Sequence, residues 1–166
     1  MATIYFSSVL KAEYQEELEK IIFFSPNQNK VRADIVAAIK LIGKPCIVRH
    51  GETLRVSVGQ YEDAQTLYAL EEHLSHPRLL GSIIFIRDQY ENLTVAHLAV
   101  VPDCIMTLDS ADIPLAVRLF FHVMDIAKQV KGIETVTLMY GRGKSLKIRV
   151  SSVPIGPPVC IGRTFP

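Results

Sequence analysis

Apolar residues along this chain fall into two rhythms, one of period two and one of period three to four, and the switches between them mark the elements. TIYFSSVL (3–10) predicts an opening strand. Tyr14, Leu18, Ile21 and Ile22 then recur at helical spacing, with Glu13, Glu16, Glu17 and Glu19 mostly off that face. SPNQN (25–29) breaks the helix and offers caps for a second. Its stripe is Val31, Ile35, Ala38, Ile39 and Ile42, stopped by Gly43 and Pro45. PCIVRH and TLRVSV predict two strands, joined by a tight turn at Gly51 and Glu52 where glycine supplies a positive φ.

Three further strands are predicted at QTLYALEE (65–72), LLGSIIFIRD (79–88) and NLTVAHLAVV (92–101), separated by the polar connections HLSHPR and QYE. A third amphipathic helix follows over 111–131, with Val117, Phe120, Met124 and Ala127 as its stripe and Gly132 at its end. IETVTLMY (133–140) and SLKIRV (145–150) read as strands around a GRGK turn, and a Pro/Gly-rich tail (153–166) follows. No repeat, low-complexity tract or linker divides residues 1–166. The pattern is α/β (α+β in looser usage), a mixed and mostly antiparallel sheet flanked by helices, in one domain.

Two short motifs invite a chemical reading. Arg49, His50, Gly51, Glu52 and Thr53 match the run with which histidine phosphatases form a phosphohistidine. That chemistry needs arginines, a second histidine and an acid around the phosphate. The family's signature closes its first strand and continues with an asparagine, where this chain has Val56. The alternating TLRVSV that follows fits a hairpin instead, so phosphatase activity at Arg49, His50 and Gly51 is the minor alternative. Gly143, Lys144 and Ser145 resemble the end of a phosphate-cradling loop, but position 138 is Leu138 where its first glycine belongs. His73 and His76 have no third partner to suggest a metal site.

At 166 residues, 49% hydrophobic and 21% charged, the chain has the composition of a folded globular protein. A formal net charge of +1 predicts no bulk attraction to nucleic acid or membrane. No apolar run approaches the ~20 residues that span a bilayer, and the first residues lack the pattern of a signal peptide. Cys46, Cys104 and Cys160 are widely spaced with no C-x-x-C, which suits a reducing, cytoplasmic setting and no bound metal. Charge is unevenly spread. Asp103, Asp109 and Asp112 stand in a stretch without a basic residue, and Arg142, Lys144, Lys147, Arg149 and Arg163 in one without an acidic residue.

Residues 66–140 carry a broader resemblance. Three strand candidates lead into His97, Leu98, Ala99, Val100, Val101, Pro102 and Asp103. A long helix then precedes the strand from Gly132 to Leu138. This order is similar to the central block of the GNAT superfamily of N-acetyltransferases. The resemblance implies a fourth strand and a following parallel strand that splay apart, with acyl-CoA in the gap. It places the pantetheine against backbone groups near Leu98 and Val100, and makes His97 the candidate base and Tyr140 the candidate acid. It also implies an Arg- and Gly-containing pyrophosphate loop at a helix N-terminus.

Here the sequence departs from the pattern. Residues 103–114 hold no glycine and no arginine, and carry the three aspartates instead. A helix expected after Tyr140 is replaced by a strand. The expectation is therefore a divergent GNAT-like acyltransferase with altered or lost acetyl-CoA binding, or a ligand-binding or protein-interaction module on the same fold. For partners, the cluster Arg142, Lys144, Lys147 and Arg149 suggests an acidic partner or a phosphate, and Pro154, Pro157 and Pro158 suggest a strap across a homodimer or across the chain's own sheet.

Overall fold

A run such as LLGSIIFI has no polar face to offer solvent, so a strand of that composition needs a layer on each side. The computed structural model has both layers. It describes residues 3–61, 64–89, 91–104, 114–141 and 144–150, with the backbone alone at 27, 30, 31, 88, 89, 104, 140, 141, 144 and 145. The strands are β1 (Ile4–Ser7), β2 (Leu10–Lys11), β3 (Pro45–His50), β4 (Thr53–Val58), β5 (Gln65–Glu71), β6 (Arg78–Gln89), β7 (Asn92–Val100), β8 (Thr135–Gly141) and β9 (Lys144–Arg149). The α-helices are α1 (Gln15–Phe24), α2 (Arg32–Leu41) and α3 (Leu115–Gln129).

Six strands form one sheet in the order β1-β5-β6-β7-β8-β9, and three form a smaller sheet in the order β2-β4-β3. Every pairing in the large sheet is antiparallel except that of β7 with β8, which the α3 crossover makes parallel. The fold is mixed α/β with a mostly antiparallel sheet flanked by helices.

The core has two halves. On one face Leu18, Ile21 and Ile22 of α1 pack with Tyr68, Leu79, Ile84 and Ala96 of the large sheet and Leu54, Val56 and Val58 of the small one. On the other, Leu115, Leu119, Val123 and Ala127 of α3 cover Leu80, Ile83, Phe85, Val95 and Val136. Leu18, Ile83, Leu119 and Val123 are fully enclosed, and each such side chain contributes about 2 kcal/mol through burial.

The α1 stripe lies where its spacing predicts, with Tyr14, Leu18, Ile21 and Ile22 all buried. The α3 stripe is rotated. Leu115, Leu119, Val123 and Ala127 form the seam, Phe120 and Met124 flank it, and Val117 is exposed. The helix is apolar over a wide arc, so its partner surface selects the row. In α2 the predicted stripe gives way further: Asp34 and Ala38 are buried, Ile35 and Ile42 half-buried, and Ile39 exposed. α2 packs against β7 and β8, where the residues alternating with the α3-facing Leu93, Val95 and Val136 are Asn92, Thr94, Thr135 and Thr137. A polar surface there accepts a polar helix residue.

The predicted opening strand is two strands in two sheets. β1 pairs with β5 up to Ser7 opposite Tyr68, and the chain then joins β4 with Leu10 opposite Leu54. Ser7 makes the kink: its Oγ donates to the Val9 carbonyl (2.8 Å) and accepts from the Val9 amide (3.1 Å). The β3–β4 hairpin forms as predicted. It turns at Gly51, whose φ is +66°, and closes where a Cβ on Gly59 would collide with the Ile42 carbonyl.

Candidate functional site

The parallel pair β7–β8 is where the large sheet opens. Asn92 to Val95 pair with Thr135 to Leu138, yet β7 runs on to Val100. The pairing stops at a β-bulge. Against β6, His97 lies opposite Ile84 and Val95 opposite Phe85, so Ala96 is an extra residue on β7. An extra residue bends the strand and sharpens its twist. It also turns Ala96 and His97 to the same face, where Ala96 joins the core beneath α1 and His97 reaches the backbone of Ile22.

His97 sits at the centre of this feature, 3% exposed. Burial pushes its imidazole pKa down to about 4, and the bond to the Ile22 carbonyl opposes that shift only in part. Its Nε2 makes no hydrogen bond among the described residues, so the Ile22 contact runs through Nδ1. The same carbonyl accepts from Gln28 Nε2, and Ser25 Oγ donates to the Val100 carbonyl at 3.2 Å. The open end of α1 is thus stapled to the far half of β7. A helix end leaves its last carbonyls without intrahelical partners, and Gln28 and His97 occupy one of them. SPNQN (25–29), read as a break and a set of caps, supplies Ser25, one of the two staples, and Gln28, which caps the helix end. The polar residues facing a buried strand were the available signal.

Leu98 and Val100 are half-buried on that far half, beyond the β8 register. Tyr140 belongs to β8, where its backbone alone is described. The bulge therefore brings His97, Leu98 and Val100 together at the divergence. It leaves His97 facing α1 rather than solvent. Of the three aspartates, Asp103 is paired: Arg78 Nη2 donates to its Oδ2 at 2.7 Å and holds the carboxyl below its usual range. Asp109 and Asp112 lie outside the described residues.

Beside the opening lies a polar knot that the sequence reading did not single out. Asn92 is 3% exposed. Its Oδ1 accepts from Thr135 Oγ1 (2.8 Å) and Thr137 Oγ1 (3.1 Å), and its Nδ2 donates to Thr94 Oγ1 (3.0 Å). These bonds tie the two parallel strands at their paired end. N-x-T in one strand and T-x-T in the other, at period two inside apolar runs, are the trace they leave in the sequence.

The remaining motifs lie elsewhere. Arg49 and His50 are exposed at the end of β3, and Arg49 Nε donates to the Gly51 carbonyl at 3.4 Å. His73 faces Glu71 at 3.4 Å, and His76 stacks on Tyr14 with centroids 4.7 Å apart. Among the described residues no three His, Cys, Asp or Glu side chains form a metal-binding group, and no helix is long and apolar enough to cross a membrane. In β9, Lys147 and Arg149 are exposed and pair with Thr137 and Thr135. Arg142 and the proline tail lie outside the described residues, as does the Lys144 side chain. No protein-family model, curated protein or solved structure matches this chain.

Proposed function

We propose that the chain is a divergent GNAT-like acyltransferase in which conventional acetyl-CoA binding is altered. The observation that carries this reading is the divergence of β7 from β8 past the bulge at Ala96, in a sheet whose one parallel pair among the described residues is bridged by α3. A gap between two strands suits an extended, amide-bearing arm such as pantetheine, and Leu98 and Val100 belong to that stretch of β7, where the Val100 carbonyl already accepts from Ser25. The charge pattern differs from the family's. Residues 103–114 contain no arginine or glycine, so they offer neither a cation nor close backbone approach to a pyrophosphate.

Acid–base work by His97 is disfavoured as the protein stands. A base with a pKa about 4 is far from the operating range in which proton transfer is most efficient, and α1 encloses it. Acyl transfer from an oriented thioester to an amine draws much of its rate from positioning, and a neutral acceptor amine can attack the carbonyl without His97, with the CoA thiolate leaving.

The enclosed His97 favours a second reading, a non-catalytic ligand-binding or protein-interaction module on the same fold. Isothermal titration with acetyl-CoA at low and moderate salt separates the two. The acyltransferase reading expects micromolar binding. A silent titration, with no thermal shift, leaves the non-catalytic module.

A further inference from the structure

The side of α2 that faces away from the sheet is apolar where a solvated helix face would be polar. Ala33, Val36 and Ala37 are exposed there, opposite the buried Asp34 and Ala38. Arg32 and Lys40 stand at the two ends of the patch, and these five residues are the described lining of an open hollow of about 590 Å³. The two cations are separated by about 12 Å along the helix.

Two more cations share that side of the molecule. In the antiparallel β8–β9 pair Lys147 is opposite Thr137 and Arg149 opposite Thr135, and directly opposed residues project to one face. Thr135 and Thr137 reach Asn92 on the α2 face of the sheet, while Val150, next in the alternation, packs with the α3 cluster. Lys147 and Arg149 are therefore exposed on the α2 face of the edge strand, beside a strand that α2 covers.

We propose that the outer face of α2 and the α2 face of β9 together dock an acidic amphipathic helix of a partner protein. The charge on this side is of one sign. Arg32, Lys40, Lys147 and Arg149 are exposed, and none makes an ion pair or a side-chain hydrogen bond among the described residues. Glu91 and Glu134, just before β7 and β8 begin, form no ion pair with them, and Asp34 is buried on the opposite side of α2. One exposed ion pair contributes little, but several cations on one surface steer and orient an acidic one. The apolar patch decides what kind of acidic surface fits. Ala33 and Ala37 are small enough to let a second helix come within about 8–10 Å between axes, and Val36 gives it an aliphatic contact. Nucleic acid fits less well, because these residues of α2 and β9 include no aromatic ring on which a base could stack.

This surface is built by α2 and β9 rather than by the far half of β7, so it stands whether or not acetyl-CoA binds. The test is a titration of the ¹⁵N-labelled full chain with a synthetic helical peptide whose glutamates, one heptad apart, flank a stripe of alanine and leucine. The same peptide with glutamine for glutamate and a single-stranded oligothymidylate serve as controls. The acidic peptide is expected to shift the amides of Arg32–Leu41 and Leu146–Arg149 together, and to bind more weakly as salt is raised. Arg32→Glu with Lys40→Glu should weaken binding about tenfold or more, and Lys147→Glu with Arg149→Glu about threefold or more. All four positions are exposed, so both variants should melt with the parent. The proposal is overturned if the peptide shifts neither element or only one, if the glutamine peptide or the oligothymidylate binds as tightly, or if either charge-reversed variant binds as well as the parent.

Discussion

From Asn92 to Val95, β7 has a strand on each side; from Ala96 to Val100 it has β6 on one side and the end of α1 above it. The first half meets its polar requirements through side chains on the same sheet, with Asn92 gathering three threonine hydroxyls. The second meets them across layers, with His97 and Ser25 tying strand to helix. One residue, Ala96, separates the two regimes. A sheet-internal knot fixes register, whereas a cross-layer staple fixes the distance between layers and depends on the protonation of an imidazole.

The largest expected effect breaks the first half. Asn92→Ala removes three side-chain hydrogen bonds and strands the nearly buried Thr94 hydroxyl. It should cost about 3 kcal/mol in urea denaturation. Adding Thr135→Val and Thr137→Val should recover part of that loss, because hydroxyls left without partners are removed with it. Full additivity of the three substitutions would show that the knot does not act as a unit.

The second half should be sensitive to acid. The unfolded chain protonates this imidazole near its ordinary 6.5 and the folded chain near about 4. Between those values the unfolded state holds the extra proton, so stability is intact above pH 6.5 and falls as the pH drops toward 4. The loss reaches at most about 3 kcal/mol. His97→Gln keeps a donor for Ile22 but cannot titrate, and should flatten that limb of the stability–pH curve. Asp103, held below its ordinary 3.8 by Arg78, is lost only at lower pH, so the two windows separate. A His97→Gln curve parallel to the parent between pH 6.5 and 4 would contradict the staple.

The smallest effect is a control outside β7. His50 is exposed at the hairpin tip, and His50→Ala should change stability by less than about 0.5 kcal/mol.

How much of this was legible in the sequence differs by element. The α1 stripe and the Gly51 turn are local signals, and both hold in the structure. The α3 face was misread because LAVRLFFHVMDIA presents apolar rows in several directions, and the sheet beneath it decides among them. The split of residues 3–10 was hidden because Ser7 is equally at home in a strand or a kink. His97 could be picked out as a lone titratable group on an apolar strand. Its direction could not, since the bulge at Ala96 reverses the alternation from which direction is inferred. Asn92 and its threonines were legible as types but not as a cluster, because their meeting depends on a register set by the α3 crossover.

The pairing of β1 with β5 has a kinetic consequence. β5, β6 and β7 are joined by short connections and can assemble from neighbours in the chain, but Ile4 must find Glu71 more than sixty positions away. Closing so large a loop costs entropy before any contact repays it. The meander should therefore form early and β1 should dock late. In native-state hydrogen exchange the amides of Ile4–Ser7 should open at lower free energy than those of β6, so β1 is the last strand of this sheet to be secured.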